Sequence, residues 1–151
     1  MCRESIYTKG KNMSLKIDSL IGKNDVRAAV YLRMVKDFAV SDTINSAYWE
    51  EYCVKSGWTF TGIYCDECGK SDSRDKLLTA CRKGEIDLIL IRSIARLDPD
   101  LVTVLSIITE LSGLHPSVGV YFTDVDLYSL EPRDYMLLME ICDMVEGTKY
   151  L

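Results

Sequence analysis

Residues 86–91 read Ile86-Asp87-Leu88-Ile89-Leu90-Ile91. A run this apolar, with no alternating polar face, is the pattern of a short strand buried on both sides of a sheet. Before it, Leu77, Leu78 and Cys81 mark a short helix that Gly84 ends. After it, Asp98-Pro99 offers an N-cap acid and a proline at the first helical position. Leu101, Val104, Leu105, Ile108 and Leu111 then form one apolar stripe, and Gly113 stops the helix. Helices on either side of a wholly buried strand are the repeating unit of a parallel sheet.

The alternation continues outward. Val26 to Val35 is rich in apolar residues and reads as a first strand. Ser41-Asp42 offers an N-cap, Ile44, Ala47, Tyr48 and Tyr52 follow at helical spacing, and Gly57 is a C-terminal stop. Trp58 to Tyr64 is a second strand, Asp66 to Ser73 a polar loop, and Val118 to Thr123 a fourth strand. Pro132 starts a last helix carrying Met136, Met139 and Ile141 to about Gly147. The fold expected is α/β: a three-layer α/β/α arrangement around a mostly parallel sheet of four to five strands. Sites in such sheets form at the carboxyl ends of strands, here just after Val35, Tyr64, Ile91 and Thr123.

The chain has 151 residues, enough for one ordinary domain, expected over 26–151 behind a flexible N-terminal leader at 1–25. No apolar run is long enough to span a membrane, and Met1 to Asn24 lacks the apolar core of a secretion signal, so a cytoplasmic location is the simplest expectation. The formal net charge of −5 argues against a free-standing, tight binder of nucleic acid. Six cysteines with no signal peptide are expected as reduced thiols. Cys65 and Cys68 form one C-x-x-C, but a structural zinc site needs four ligands and the sole histidine, His115, is far along the chain. No metal is expected. Asp66 and Glu67, lying between the two sulfurs, are expected to raise their pKa and oppose redox chemistry.

Three arginines fall at the end of the sheet where ligands collect: Arg33 near the end of the first strand, Arg74 in the loop opening the second helix, and Arg96 after the third strand. The guanidinium is a planar fork of donors suited to phosphate. Taken singly, loop arginines are more often solvated or ion-paired surface groups.

Order and spacing add a resemblance. Tyr31-Leu32-Arg33-Met34-Val35, Gly57-Trp58-Thr59-Phe60 into Tyr64-Cys65-Asp66-Glu67, Arg74-Asp75, the run from Cys81 to Leu90, Ser93-Ile94-Ala95-Arg96-Leu97 and Val118 to Phe122 stand in collinear order. From Arg27 to Leu130 the chain resembles the N-terminal catalytic domain of serine recombinases, the resolvase/invertase family, and more closely its large-recombinase branch. The resemblance implies a resolvase-like sheet and a reaction in which a serine hydroxyl attacks a DNA phosphodiester, forming a phosphoserine link, while arginines hold the phosphate. It implies no metal or nucleotide cofactor and no small-molecule substrate. Carried over residue by residue, Arg33, Arg74 and Arg96 become phosphate ligands, with Tyr31 and Asp66 in support.

The departures bear on the chemistry. The family's first strand ends Tyr-x-Arg-Val-Ser, and Val35 stands at the serine. Pro99 stands at a further family arginine, Ala95 replaces an acid often found before Arg96, and the loop from Gly69 to Ser73 is short and lacks a Ser-Gly turn. The resemblance therefore implies a recombinase domain without its nucleophile, with DNA as a weak or vestigial partner held through backbone phosphate. A transferred nucleophile would fall to Ser93, whereas Ser41 reads as a helix cap. Family members continue into a long interface helix. The segment Asp134 to Val145, with Met136, Leu137, Met139, Ile141, Met144 and Val145, reads equally as the start of that helix or as a terminal helix packed on its own sheet. The first reading makes the chain a module that pairs with itself or with an active recombinase. A flavodoxin-like small-molecule domain would fit the topology, but there is no Gly-rich phosphate loop after the first strand.

Overall fold

A computed structural model of the chain describes residues 17–22, 24–34 and 46–148. Its strands are β1 (Arg27–Arg33), β2 (Thr59–Asp66), β3 (Leu88–Ile91), β4 (Gly119–Phe122) and β5 (Leu127–Tyr128). Its helices are α1 (Ser46–Ser56), α2 (Asp72–Arg82), α3 (Ile94–Leu97), α4 (Leu101–Ser112) and α5 (Pro132–Thr148). The five strands form one sheet in the order β2-β1-β3-β4-β5, parallel except for β5, which runs antiparallel to β4. Val35 and the Ser41-Asp42 cap lie outside the described residues.

Period-two alternation in the strands separates two cores. Ala29 and Tyr31 of β1, with Ile89 and Ile91 of β3, pack against Leu77 and Cys81 of α2 and Val104, Ile108 and Leu111 of α4. Ala28, Val30 and Leu32 face the other way with Leu88 and Leu90, against Trp49 and Cys53 of α1 and against Trp58. Helices thus cover both faces of the sheet, giving the three layers. The leader expected over 1–25 is not wholly outside the fold: a helical turn at 17–21 places Ile17 in the second core with no exposure, and Trp58 Nε1 donates to Asp18 Oδ1 at 2.9 Å. No described helix is long and apolar enough to cross a membrane.

One irregularity sets the register on which the strand ends depend. Ala28 pairs with Phe60 but Ala29 pairs with Gly62, so Thr61 is an extra residue in β2. Gly62 takes φ +142°, a conformation open chiefly to glycine. Phe60 before this bulge and Ile63 and Cys65 after it all pack on the second core, a spacing a regular strand cannot give, and Arg33 comes opposite Asp66.

The helix expected from Asp98-Pro99 begins later. Asp98 is extended (φ −162°, ψ 144°) and separates the single turn of α3 from α4, which starts at Leu101 with Asp100 at its N-cap position. The Asp98 carboxylate spans this junction, its Oδ2 accepting from Arg74 Nη1 and its Oδ1 from the Asp100 amide. β2 in turn runs past Tyr64 to Asp66, because the Asp66 carbonyl accepts from Met34 N at 2.8 Å. The C-terminal helix packs on α4: Leu138 and Cys142 are buried, and the Tyr135 and Thr109 hydroxyls are 2.8 Å apart.

Two buried aspartates hold opposite ends of the sheet. Asp87, just before β3, accepts from Arg27 N at 2.9 Å and Arg27 Nε at 3.1 Å. Asp66, closing β2, accepts from the Tyr31 hydroxyl at 2.7 Å and from the amides of Ser73 and Arg74 at 2.8 and 2.9 Å. Burial alone would raise the Asp66 pKa, but these hydrogen bonds outweigh it and hold it below the usual carboxylate range. Since the folded value lies below the unfolded one, Asp66 adds stability above the unfolded pKa and loses it as pH falls through the folded value. Asp66→Asn is expected to cost about 3 kcal/mol near neutral pH. Its deficit relative to the parent should shrink below about pH 4, read by urea denaturation across pH.

Candidate functional site

The carboxyl ends of β1, β2 and β3 bring the expected site residues into one hydrogen-bonded cluster. Arg33 ends β1, and Tyr31, two residues earlier, lies on the same face of the strand. Arg33 Nη2 donates to the Tyr31 hydroxyl at 2.9 Å, and that hydroxyl donates to Asp66 Oδ2. The Arg33 guanidinium carbon lies 5.8 Å from the centre of the Tyr31 ring. Arg33 also donates through Nη1 to the Lys70 carbonyl at 2.6 Å and through Nη2 to Ser71 Oγ at 3.3 Å.

Arg33 and Arg96 clasp one another through the main chain. Arg33 Nε donates to the Arg96 carbonyl at 3.2 Å, and Arg96 Nη1 donates to the Arg33 carbonyl at 2.8 Å. Arg96 reaches this position because α3 is a single turn directly after β3. Its Nε and Nη2 meet no acceptor among the described residues. Arg74 enters from α2, whose first turn is pinned to Asp66 through the Ser73 and Arg74 amides. Its Nη1 donates to the Leu97 carbonyl at 2.9 Å and to Asp98 Oδ2 at 2.8 Å, and its Nε is buried without a partner.

The electrostatics follow from these contacts. Burial first, then the hydrogen bond to Asp66, push the Tyr31 phenol far above its ordinary pKa, so at neutral pH it is a fixed neutral donor. Burial would also raise Asp98, but hydrogen bonds from Arg74 and the Asp100 amide, together with the Arg74 charge, hold it below the usual range. Three cations therefore share the site with two ionised carboxylates. In such an arrangement Arg96, with Nε and Nη2 unmatched among the described residues, is the guanidinium with donors to offer an oxyanion, and the unpaired Arg74 Nε lies buried.

Ser93 stands at the N-cap position of α3 with no side-chain cap bond, and Pro99 is exposed between the two aspartates that open α4. Cys65 lies in β2 and Cys68 in the loop after it; burial, then Asp66 and Glu67, raise the Cys65 thiol pKa. No group of three or more histidine, cysteine or acidic side chains is placed to hold a metal among the described residues. A depression of about 490 Å³ lies elsewhere, lined by Tyr64, Asp75, Lys76, Thr79, Ala80, Lys83 and Glu85, and none of the three arginines borders it. Sequence reasoning missed Asp98, Ser71 and the Lys70 and Leu97 carbonyls. Carbonyl acceptors leave no mark in a sequence, and Asp98 carried a local capping signal instead.

No protein-family model and no curated protein matches this sequence. Among solved structures, the N-terminal catalytic domain of TP901-1 integrase superposes with a TM-score of 0.66 at 15% identity, over 82% of this chain and 97% of that one. A resolvase family site-specific recombinase from Streptococcus pneumoniae superposes with a TM-score of 0.68 at 10% identity, over 83% of this chain and 91% of that one. At these identities the likeness is one of architecture, and it extends over nearly the whole length of both relatives. The chain has the fold of the serine recombinase catalytic domain.

Proposed function

We propose that this chain is a serine recombinase-type domain that engages DNA backbone phosphate through Arg33, Arg74 and Arg96 and does not cut the strand. The observation that carries the reading is the cluster itself: at three successive strand ends, Arg33 and Arg96 bond to one another's carbonyls and Arg74 bonds to the carbonyl of Leu97, the residue after Arg96. Strand cleavage needs an attacking oxygen. Valine at position 35 has none. Tyr31 cannot replace it, since its hydroxyl is buried between Asp66 and Arg33 and stays protonated. Pro99 removes a further cation where the family resemblance expects one. The net charge of −5 makes independent DNA affinity weak, which fits a cytoplasmic domain delivered to DNA by a partner, or a relic of a mobile element.

A second reading has its own observation. Met136, Leu137, Met139, Met144 and Val145 of α5 are all exposed. Apolar side chains concentrated on one helix are the pattern of a pairing surface, for a second copy of this chain or for an active recombinase.

Three outcomes are expected. On a nicked suicide duplex, denaturing electrophoresis should show no covalent protein–DNA adduct. An adduct would refute the inactive reading, and its loss in Ser93→Ala would identify the displaced nucleophile. Arg96→Gln removes one hydrogen bond to main chain and is expected to lower duplex affinity several-fold. It should also reduce the slope of log affinity against log salt by about one, measured by fluorescence anisotropy. For the pairing surface, sedimentation should show concentration-dependent dimers that Leu137→Lys with Met144→Lys abolishes. A chain that stays monomeric at high concentration and captures no recombinase removes this second reading.

A further inference from the structure

Among the described residues, the contact that distinguishes Arg74 from the other two arginines is an ion pair with an acid of its own chain. Asp98 Oδ2 lies 2.8 Å from Arg74 Nη1, and both side chains are largely buried, at 13% exposure for Arg74 and 19% for Asp98. The pair is incomplete on both sides. Asp98 spends its second oxygen on the Asp100 amide at 2.8 Å, so it holds Arg74 through one oxygen only. Arg74 keeps Nε buried and unpaired, and Nη2 meets no acceptor among the described residues. The Nε–Nη2 edge is the side of a guanidinium that grips two oxygens of a phosphate. Arg74 therefore has an unsatisfied, buried Nε on this edge while a full negative charge sits against its Nη1.

We infer that Asp98 is a built-in counter-ion that lowers the affinity of this site for phosphate by neutralising Arg74. The inference rests on the phosphate reading of the three arginines. Asp98 has two opposed effects, and their sizes decide between them. As an anchor it steadies the guanidinium and would favour binding, but the Leu97 carbonyl holds the same nitrogen and performs that task without charge. As a charge it repels any oxyanion brought to the Nε–Nη2 edge from roughly 6 Å away, in a largely buried setting where screening is weak. Repulsion is the larger effect. The ligand chemistry is a phosphate oxyanion, supplied by a DNA phosphodiester or by free inorganic phosphate.

The test compares the parent chain with Asp98→Asn, which drops the charge but keeps an oxygen for the Asp100 amide. Asp98→Ser is a second variant with a shorter acceptor, and thermal denaturation confirms that each is folded. Asp100→Asn removes the same charge two residues away from an exposed side chain that bonds Thr103, and controls for the general field. Binding of a short labelled duplex is read by anisotropy, and binding of inorganic phosphate by titrating the arginine Nε–H resonances. Asp98→Asn is expected to tighten binding about tenfold at low salt, against less than about twofold for Asp100→Asn. Adding Arg74→Gln should cancel the gain. Tightening toward the duplex assigns the site to a DNA phosphodiester, and tightening toward inorganic phosphate alone assigns it to the free ion. Asp98→Asn that binds no more tightly than Asp100→Asn, while Arg96→Gln still weakens binding, overturns the counter-ion role and leaves the phosphate reading standing. Binding that no arginine substitution changes, or no binding by any variant, removes the phosphate reading and the counter-ion with it.

Discussion

The buried carboxylate of Asp66 is the constraint on which the polar end of this molecule depends. An ionised acid with almost no exposure is tolerable only if its lone pairs are filled. Asp66 fills them from two elements: the Tyr31 hydroxyl of β1 and the Ser73 and Arg74 amides in the first turn of α2. The same three bonds fix the position of Tyr31, on which Arg33 leans, and the start of the helix that carries Arg74. The amides of a helix N-terminus are a ready anion site. In α2 they are already taken by the protein's own carboxylate. The Ser73 and Arg74 amides are therefore not free to take an external anion.

The placement of those side chains follows from the sheet. Parallel strands end together, and each loop leaves from the same edge, so residues far apart in sequence meet there. The bulge at Gly62 completes the alignment by bringing Arg33 opposite Asp66. Once there, the arginines bond mainly to main-chain carbonyls: Arg33 to those of Lys70 and Arg96, Arg96 to that of Arg33, and Arg74 to that of Leu97. Carbonyls satisfy guanidinium donors without cancelling their charge. The centre stays cationic apart from its two aspartates, and Asp98 is the one of these that the sheet does not require.

Much of this was legible in the sequence because the deciding signals are local. Leu88 to Ile91 is apolar throughout and lies at the centre of the sheet. Gly57 and Gly84, read as helix stops, adopt φ +80° and +76°, while Gly113 ends its helix without leaving the right-handed region. Placing Arg33, Arg74 and Arg96 at one edge needed only the rule about strand ends. What was not legible is long-range. Asp98 before a proline looks like a helix cap, and nothing nearby reveals that an arginine 24 residues earlier claims it. Ile17 sat in a stretch too polar to show a pattern, yet one apolar side chain suffices to cover the edge of a core. β5 is too short for any periodicity, and its pairing with β4 is completed by Ser129 Oγ accepting from Val120 N.

The bonding of the arginines also separates two reasons for their presence. Arg33 directs Nε, Nη1 and Nη2 into its own chain, and removing it would leave the Lys70 and Arg96 carbonyls without their donor. Its retention is explained by the fold whether or not a phosphate is ever bound. Arg96 differs: one nitrogen serves the fold, and two have no described acceptor. A partly exposed guanidinium can spend those donors on water at little cost. Loss of the Arg96 side chain costs the fold one hydrogen bond, whereas loss of Arg33 costs it four. Arg33, Arg74 and Arg96 each donate to a main-chain carbonyl at this sheet edge, so the fold by itself is a reason for all three contacts, independent of any chemistry at the outer face of the cluster.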